Sequence, residues 1–221
     1  MTAILSVETF PALEAVPGLI HGFTARLAGL DVQTDRETAL HRLEAHHTVA
    51  RHGLGLGEKR FVIGEQVHGC GVAVVDENSV SPVAGVDGLI TASPGVCLGI
   101  YVADCCAVYL ADPVRRVIAL LHSGRRGSEL GITAAAIARL RADFGCAPAD
   151  IVAQLSPCIR PPLYETDFAA LIIAQCRAAG VRQVFDSGTC TGANVHRYYS
   201  YRVERGKTGR MLAFLALATA S

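Results

Sequence analysis

The chain has 221 residues, 51% of them hydrophobic and 18% charged, and its 20 Lys+Arg balance 20 Asp+Glu. That length can bury a core without staples, while zero net charge provides no broad field for a nucleic-acid backbone or an anionic leaflet, so small ligands are the expected partners. No apolar run reaches the roughly 18 residues of a membrane span, and the opening Met1 to Ser6 lacks a basic n-region, which places the expected protein in the cytoplasm.

In chain order, Thr34-Asp35-Arg36-Glu37 has the form of a capping box and predicts a helix running through Arg51 to a stop at Gly53. Its histidines, His41, His46 and His47, and His52 just after it, are expected on the surface. From residue 61 onward the pattern changes to short β-branched runs, at 61–63, 72–75, 96–102, 108–110 and 117–121. Residues 128–144 set Ile132, Ala136, Leu140 and Phe144 four apart on one helical face, with Gly145 placed to cap it. A strand at 151–155 follows, then a helix at 168–179 ending before Gly180, and further strand candidates at 184–185 and 198–203. No linker or repeat divides the chain, so residues 1–221 read as a single α/β or α+β domain. In a reducing compartment, Cys70, Cys97, Cys146, Cys158, Cys176 and Cys190 are expected to be small buried hydrophobes.

Three segments combine a reactive side chain with glycine or a strand end: 64–69, 102–106 and 120–127. They carry His68, Cys105 and His122, separated by 37 and 17 residues, so no local knuckle motif joins them. Two imidazoles and a thiolate form a donor set suited to zinc, with a fourth position left for water. Taken singly, a strand-end histidine can instead satisfy backbone groups, and a cysteine between Asp and Cys on an apolar strand can be core.

The segments His21-Gly22-Phe23-Thr24-Ala25-Arg26, Gln66-Val67-His68-Gly69, Asp87-Gly88-Leu89-Ile90-Thr91, Ala103-Asp104-Cys105, His122-Ser123-Gly124-Arg125-Arg126-Gly127, Ser156-Pro157-Cys158-Ile159, Tyr164-Glu165, Tyr199-Ser200-Tyr201-Arg202 and Thr208-Gly209-Arg210 follow one another in this order. Together they resemble the laccase-domain family, also called polyphenol-oxidase-type or YfiH-like, whose members are often described as purine nucleoside phosphorylases. The resemblance implies a single α+β domain layered α/β/β/α with mixed sheets, a fold similar to that of toxin deamidases. It also implies one zinc on His68, Cys105 and His122. The chain departs from the family pattern where Arg125 replaces a tryptophan, where Cys106-Ala107 lacks a proline, where Ser156-Pro157 replaces Gly-Pro, and where Leu30-Asp31-Val32 replaces an Asn-Leu segment.

The implied chemistry is phosphorolysis of adenosine, inosine, guanosine or methylthioadenosine, together with hydrolytic deamination of adenosine, which zinc supports by lowering the pKa of water to about 7. Asp104, beside Cys105, or Glu65 would carry the proton. Arg126, with the backbone N–H groups opening the 128–144 helix, would hold phosphate, and Arg26 is a second candidate. Arg125 is expected to face solvent, and His21 and Tyr164 to line the ligand pocket. Four other readings stand beside this one. They are a peptidoglycan-editing hydrolase using the same zinc, a metal-free hydrolase with Cys105 as nucleophile and His122 as base, a copper phenol oxidase, and a member that binds without turnover. Copper is the less favoured metal, because one site cannot gather the four electrons that reduce dioxygen. A monomer and a homodimer are equally compatible with the sequence.

Overall fold

The computed structural model describes residues 6–219. Among them the chain forms β1 (Val7–Glu8), α1 (Pro11–Glu14), β2 (Leu19–Thr24), α2 (Arg36–His52), β3 (Arg60–Ile63), β4 (Val72–Val74), β5 (Gly88–Thr91), β6 (Val96–Val102), β7 (Cys106–Asp112), β8 (Val117–Ser123), α3 (Arg125–Glu129), α4 (Ile132–Phe144), β9 (Val152–Leu155), α5 (Phe168–Ala178), β10 (Gln183–Asp186) and β11 (Met211–Leu217). The strands make a five-stranded sheet ordered β1-β2-β11-β6-β3 and a six-stranded sheet ordered β10-β9-β7-β8-β5-β4. Both are mixed: β3 runs parallel to β6, β4 to β5 and β10 to β9, while the other pairs are antiparallel.

Strand alternation builds the layers. In β8, Ile118 and Leu120 enter the core between the sheets, where they join Leu98, Ile100, Ala213 and Leu215 of the facing sheet. The intervening Val117, Ala119 and Leu121 face outward against Ile132, Ala136 and Leu140 of α4 and Phe168 and Ile172 of α5. Strands buried on both faces in this way read as continuous apolar runs. The outer face of the five-stranded sheet is closed differently. Phe214 lies in register with Gly22 on one side and Gly99 on the other, and a Cβ at Gly22 would collide with its ring. Helix α2 completes the cover, with the His47 ring 5.5 Å from that of Tyr101 and the Arg51 guanidinium 4.0 Å above Phe61. The α/β/β/α layering follows.

Several local expectations are corrected. The N-cap of α2 is Asp35, whose Oδ1 accepts from Thr38 N at 2.9 Å, so Thr34 lies outside the helix. His47 is buried against the sheet, and desolvation lowers its pKa to about 4. The 128–144 helix begins earlier and breaks at Gly131, whose φ of 80° separates α3 from α4. Residues 198–203 form turns rather than a strand, because carboxylates take up their amides: Ser200 N donates to Glu204 and Arg202 N to Asp104. Cys70 is exposed and Cys190 half-buried, whereas Cys97, Cys146, Cys158 and Cys176 are buried as expected.

Candidate metal centre

At one end of the sandwich β3, β6 and β8 finish while β7 and β11 begin, and the three predicted donors meet there. His122 keeps the inward parity of Ile118 and Leu120, so its ring, 4% exposed, projects between the sheets at the end of β8. Cys105 sits in the turn between β6 and β7, and His68 in the loop after β3. One donor atom from each lies within 4.8 Å of the others, and the two imidazole centroids are 4.7 Å apart in an edge-to-face arrangement. Tetrahedral zinc with bonds of about 2.0–2.3 Å spaces its ligands about 3.4–3.7 Å apart. A small contraction would close this trio around an ion, so the residues fit a metal.

One carboxylate organises two of the three donors. Asp87, fully buried at the start of β5, accepts from His122 Nδ1 at 2.8 Å and from His68 N at 2.9 Å through Oδ1, and from Val67 N and Gly69 N through Oδ2. These bonds fix the tautomer of His122 and aim its Nε2 into the site, the usual carboxylate–histidine support of a metal ligand. They also hold the His68 loop, where Gln66 and His68 take left-handed φ values of 61° and 58° that non-glycine residues rarely adopt. Gln66 adds a second anchor, since its amide exchanges hydrogen bonds with both the N–H and the carbonyl of Tyr101. Burial alone would raise the pKa of Asp87, but His122 and the Gly69 and His68 amides outweigh it and hold the carboxyl below its usual range.

Charge inside the trio is consistent with a thiolate. Burial pushes the Cys105 thiol up, yet the charges and hydrogen bonds of His122 and His68 prevail and bring it to about 6. For His122, burial favours the neutral ring, while Cys105 and Asp87 overcome it and raise its pKa to about 9. Gly124 is required for close approach: a Cβ there would stand 2.5 Å from Cys105 Sγ. Gly124→Ala is therefore expected to displace the sulfur and lower metal affinity, with kcat/KM falling about 100-fold for a misplacement near 1 Å. Metal titration of the variant checks this, and wild-type retention would show that the turn can yield.

The trio opens into a cavity of about 1010 Å³ whose walls carry the rings of Tyr101, Tyr164, Phe168 and Tyr201 and several arginines. Of the predicted substrate residues, Arg126 and Tyr164 line it. His21 does not: its Nε2 accepts from Phe10 N and its ring stacks on Phe10 in the core. Arg26 is likewise elsewhere, bound to Glu204 at 2.6 Å and to the Tyr198 carbonyl, over the Tyr199 ring. Asp104 lines the cavity, but both oxygens are engaged, by Thr191 Oγ1, Ser200 Oγ and Arg202 N. Glu65 lies outside it, holding Gly85 N. Arg125 is half exposed at the rim, paired with Glu129 at 2.9 Å and Glu165 at 3.5 Å. The N–H cradle expected at a long helix reduces to the single turn of α3. Sequence reading missed Asp87 as a functional residue; the signal was its place in the quoted Asp-Gly segment.

The family model described as multi-copper polyphenol oxidoreductase laccase matches residues 21–167 and 164–218. The chain belongs to this family. A relative in Streptomyces coelicolor, named a purine nucleoside phosphorylase, is 33% identical over 92% of this chain and 98% of its own length. One in Deinococcus radiodurans with the same name is 32% identical over 92% of this chain and 90% of its own. The crystal structure of YlmD from Geobacillus stearothermophilus covers 98% of this chain and 100% of its own at 26% identity, with a TM-score of 0.82. That of Bacillus licheniformis YfiH, at 24% identity, covers 92% and 94% with the same score and shares the fold. The family description speaks of several coppers, whereas the described residues bring together one group of three candidate ligands. No helix among them is long and apolar enough to cross a membrane.

Proposed function

We propose that the chain is a zinc-dependent purine nucleoside phosphorylase that also deaminates adenosine. The observation that carries this reading is the His68–Cys105–His122 trio opening into a cavity that offers both aromatic faces and arginines without carboxylate partners. Two imidazoles and a thiolate form a borderline-soft set, and a single site suits a redox-silent ion better than four-electron oxygen chemistry. Zinc, when bound, supplies Lewis acidity beside the reacting base.

The protein's own residues do the rest. Tyr164 and Phe168, with rings 5.8 Å apart and edge to face, give a purine an apolar wall. Arg126 makes no ion pair among the described residues and presents a free guanidinium for a bidentate contact with phosphate. Asp104, with both oxygens occupied, acts as a positioning residue for the turn that carries Cys105. The similarity to relatives named purine nucleoside phosphorylases supports the substrate class.

The test is metal analysis followed by assays of adenosine and inosine with and without phosphate. About one zinc per chain and phosphate-dependent release of the free base are expected, with Arg126→Gln raising the KM for phosphate about tenfold or more, the worth of one charged hydrogen bond. Copper in place of zinc, or no turnover of any purine nucleoside, would refute the proposal. A second reading draws on the Asp87–His122–Cys105 relay, which has the order of a thiol hydrolase triad.

A further inference from the structure

The arginines of the cavity are not equivalent. Arg125 is paired with Glu129 and Glu165, and Arg202 with Glu165 at 2.9 Å while lying over the Tyr164 ring. Arg210 differs. It stands just before β11 and is 8% exposed, yet it makes no ion pair among the described residues. Its Nη1 donates to the carbonyls of Thr208 and Gly209, which fixes the head group without neutralising it. Arg36, the first residue of α2, lines the same cavity, also lacks an ion pair among the described residues, and is near enough for its charge to act on Arg210.

The carboxylates around them are already committed. Asp35 accepts from Thr38 N and Oγ1 and from Thr34 Oγ1, Asp104 accepts from its three donors, and Glu129 is paired with Arg125. Burial and the Arg36 charge outweigh the favourable action of Cys105 and Asp104 on the Arg210 charge. A buried guanidinium without a direct ion pair is costly, and a like charge on the same wall makes it more so, unless the site is built to receive an anion.

We propose that Arg210 and Arg36 form a subsite for a phosphate group on the wall contributed by the five-stranded sheet, distinct from Arg126 on α3. The cavity, near the top of the roughly 300–1,000 Å³ range of small-molecule sites, has room beyond a bare nucleoside. With Arg126 available to the free co-substrate, the second subsite holds a phosphate ester carried by the substrate itself. This assignment of the ester rests on the nucleoside reading; the anion subsite does not.

Calorimetric titration of the metal-loaded protein with inorganic phosphate, adenosine and adenosine 5′-monophosphate tests it, in wild type, Arg36→Gln and Arg210→Gln. The monophosphate is expected to bind about tenfold or more tighter than adenosine, with the difference lost in both variants. Arg36 is exposed, so its variant reports even if Arg210→Gln fails to fold. A preference that survives Arg36→Gln overturns the proposal. If the monophosphate binds no tighter than adenosine while inorganic phosphate weakens about tenfold in the variants, the phosphate at this pair is the free co-substrate and the ester assignment is overturned. Phosphate binding that depends on the pair, with no nucleoside binding at all, keeps the subsite and removes the nucleoside reading. Phosphate binding unchanged in both variants, with no preference for the monophosphate, removes the subsite.

Discussion

Alanine in place of His68 is expected to abolish metal retention and turnover as completely as alanine in place of Cys105. The two readings of the site part at this residue. As metal ligands, His68, Cys105 and His122 contribute alike, and losing any one leaves two donors that cannot hold zinc at ordinary concentrations. As a thiol hydrolase, the protein would need the Asp87–His122–Cys105 relay and could spare His68, which is exposed and is no part of that relay. All three alanine variants should remain folded, because the trio lies at strand ends and loops at one end of the sandwich. Elemental analysis, circular dichroism and kcat/KM on the same preparations decide it. A His68→Ala protein that keeps a substantial fraction of wild-type activity would establish the thiol mechanism.

The second large effect is expected at Asp87, which is not one of the three donors but holds two of them. Its two oxygens receive four N–H donors, three from the backbone of residues 67–69 and one from His122. Asp87→Ala leaves all four without partners, the His122 N–H in a buried position and the three amides partly buried, at a cost of about 3–5 kcal/mol in stability. It should also lower metal affinity about 10–100-fold, as loss of a ligand's hydrogen-bond support does. Asp87→Asn should fare little better, since whichever way the amide is turned, its NH₂ faces two N–H groups that need an acceptor. Urea unfolding and competitive metal titration read the two effects separately. An asparagine variant with wild-type stability and metal affinity would mean that the carboxylate charge and its acceptors are dispensable.

The donors could be read from the sequence because each follows or ends an apolar strand near glycine or a turn, and because the order of segments resembles one family. Asp87 was harder to read. An aspartate before glycine normally signals a turn, and its partners lie 18–20 and 35 residues away, so nothing local announces its role. Arg26 was misassigned for a similar reason: the carboxylate that occupies it, Glu204, is 178 residues distant. Among the strands, 96–102 and 117–121 were legible from β-branched runs, whereas β11, Met-Leu-Ala-Phe-Leu-Ala-Leu, is composed largely of good helix formers and is held extended by pairing on both sides. The Tyr-rich 198–203 segment failed in the opposite direction, its β propensity overridden by the buried Asp104 and half-buried Glu204 carboxylates that take its amides.

Asp104, the residue just before Cys105, ties the loop at Thr191 and the turn at Ser200–Arg202 to the turn that carries the thiol. The backbone at position 202 is thereby bolted to the centre, while its side chain reaches the solvent-exposed rim and pairs with Glu165. Change can accumulate on that side chain without disturbing the frame beneath it. Position 202, with Arg125 and Glu165 across the mouth, is where a descendant of this protein could acquire a new substrate preference in a few steps while inheriting the His68–Cys105–His122 trio intact.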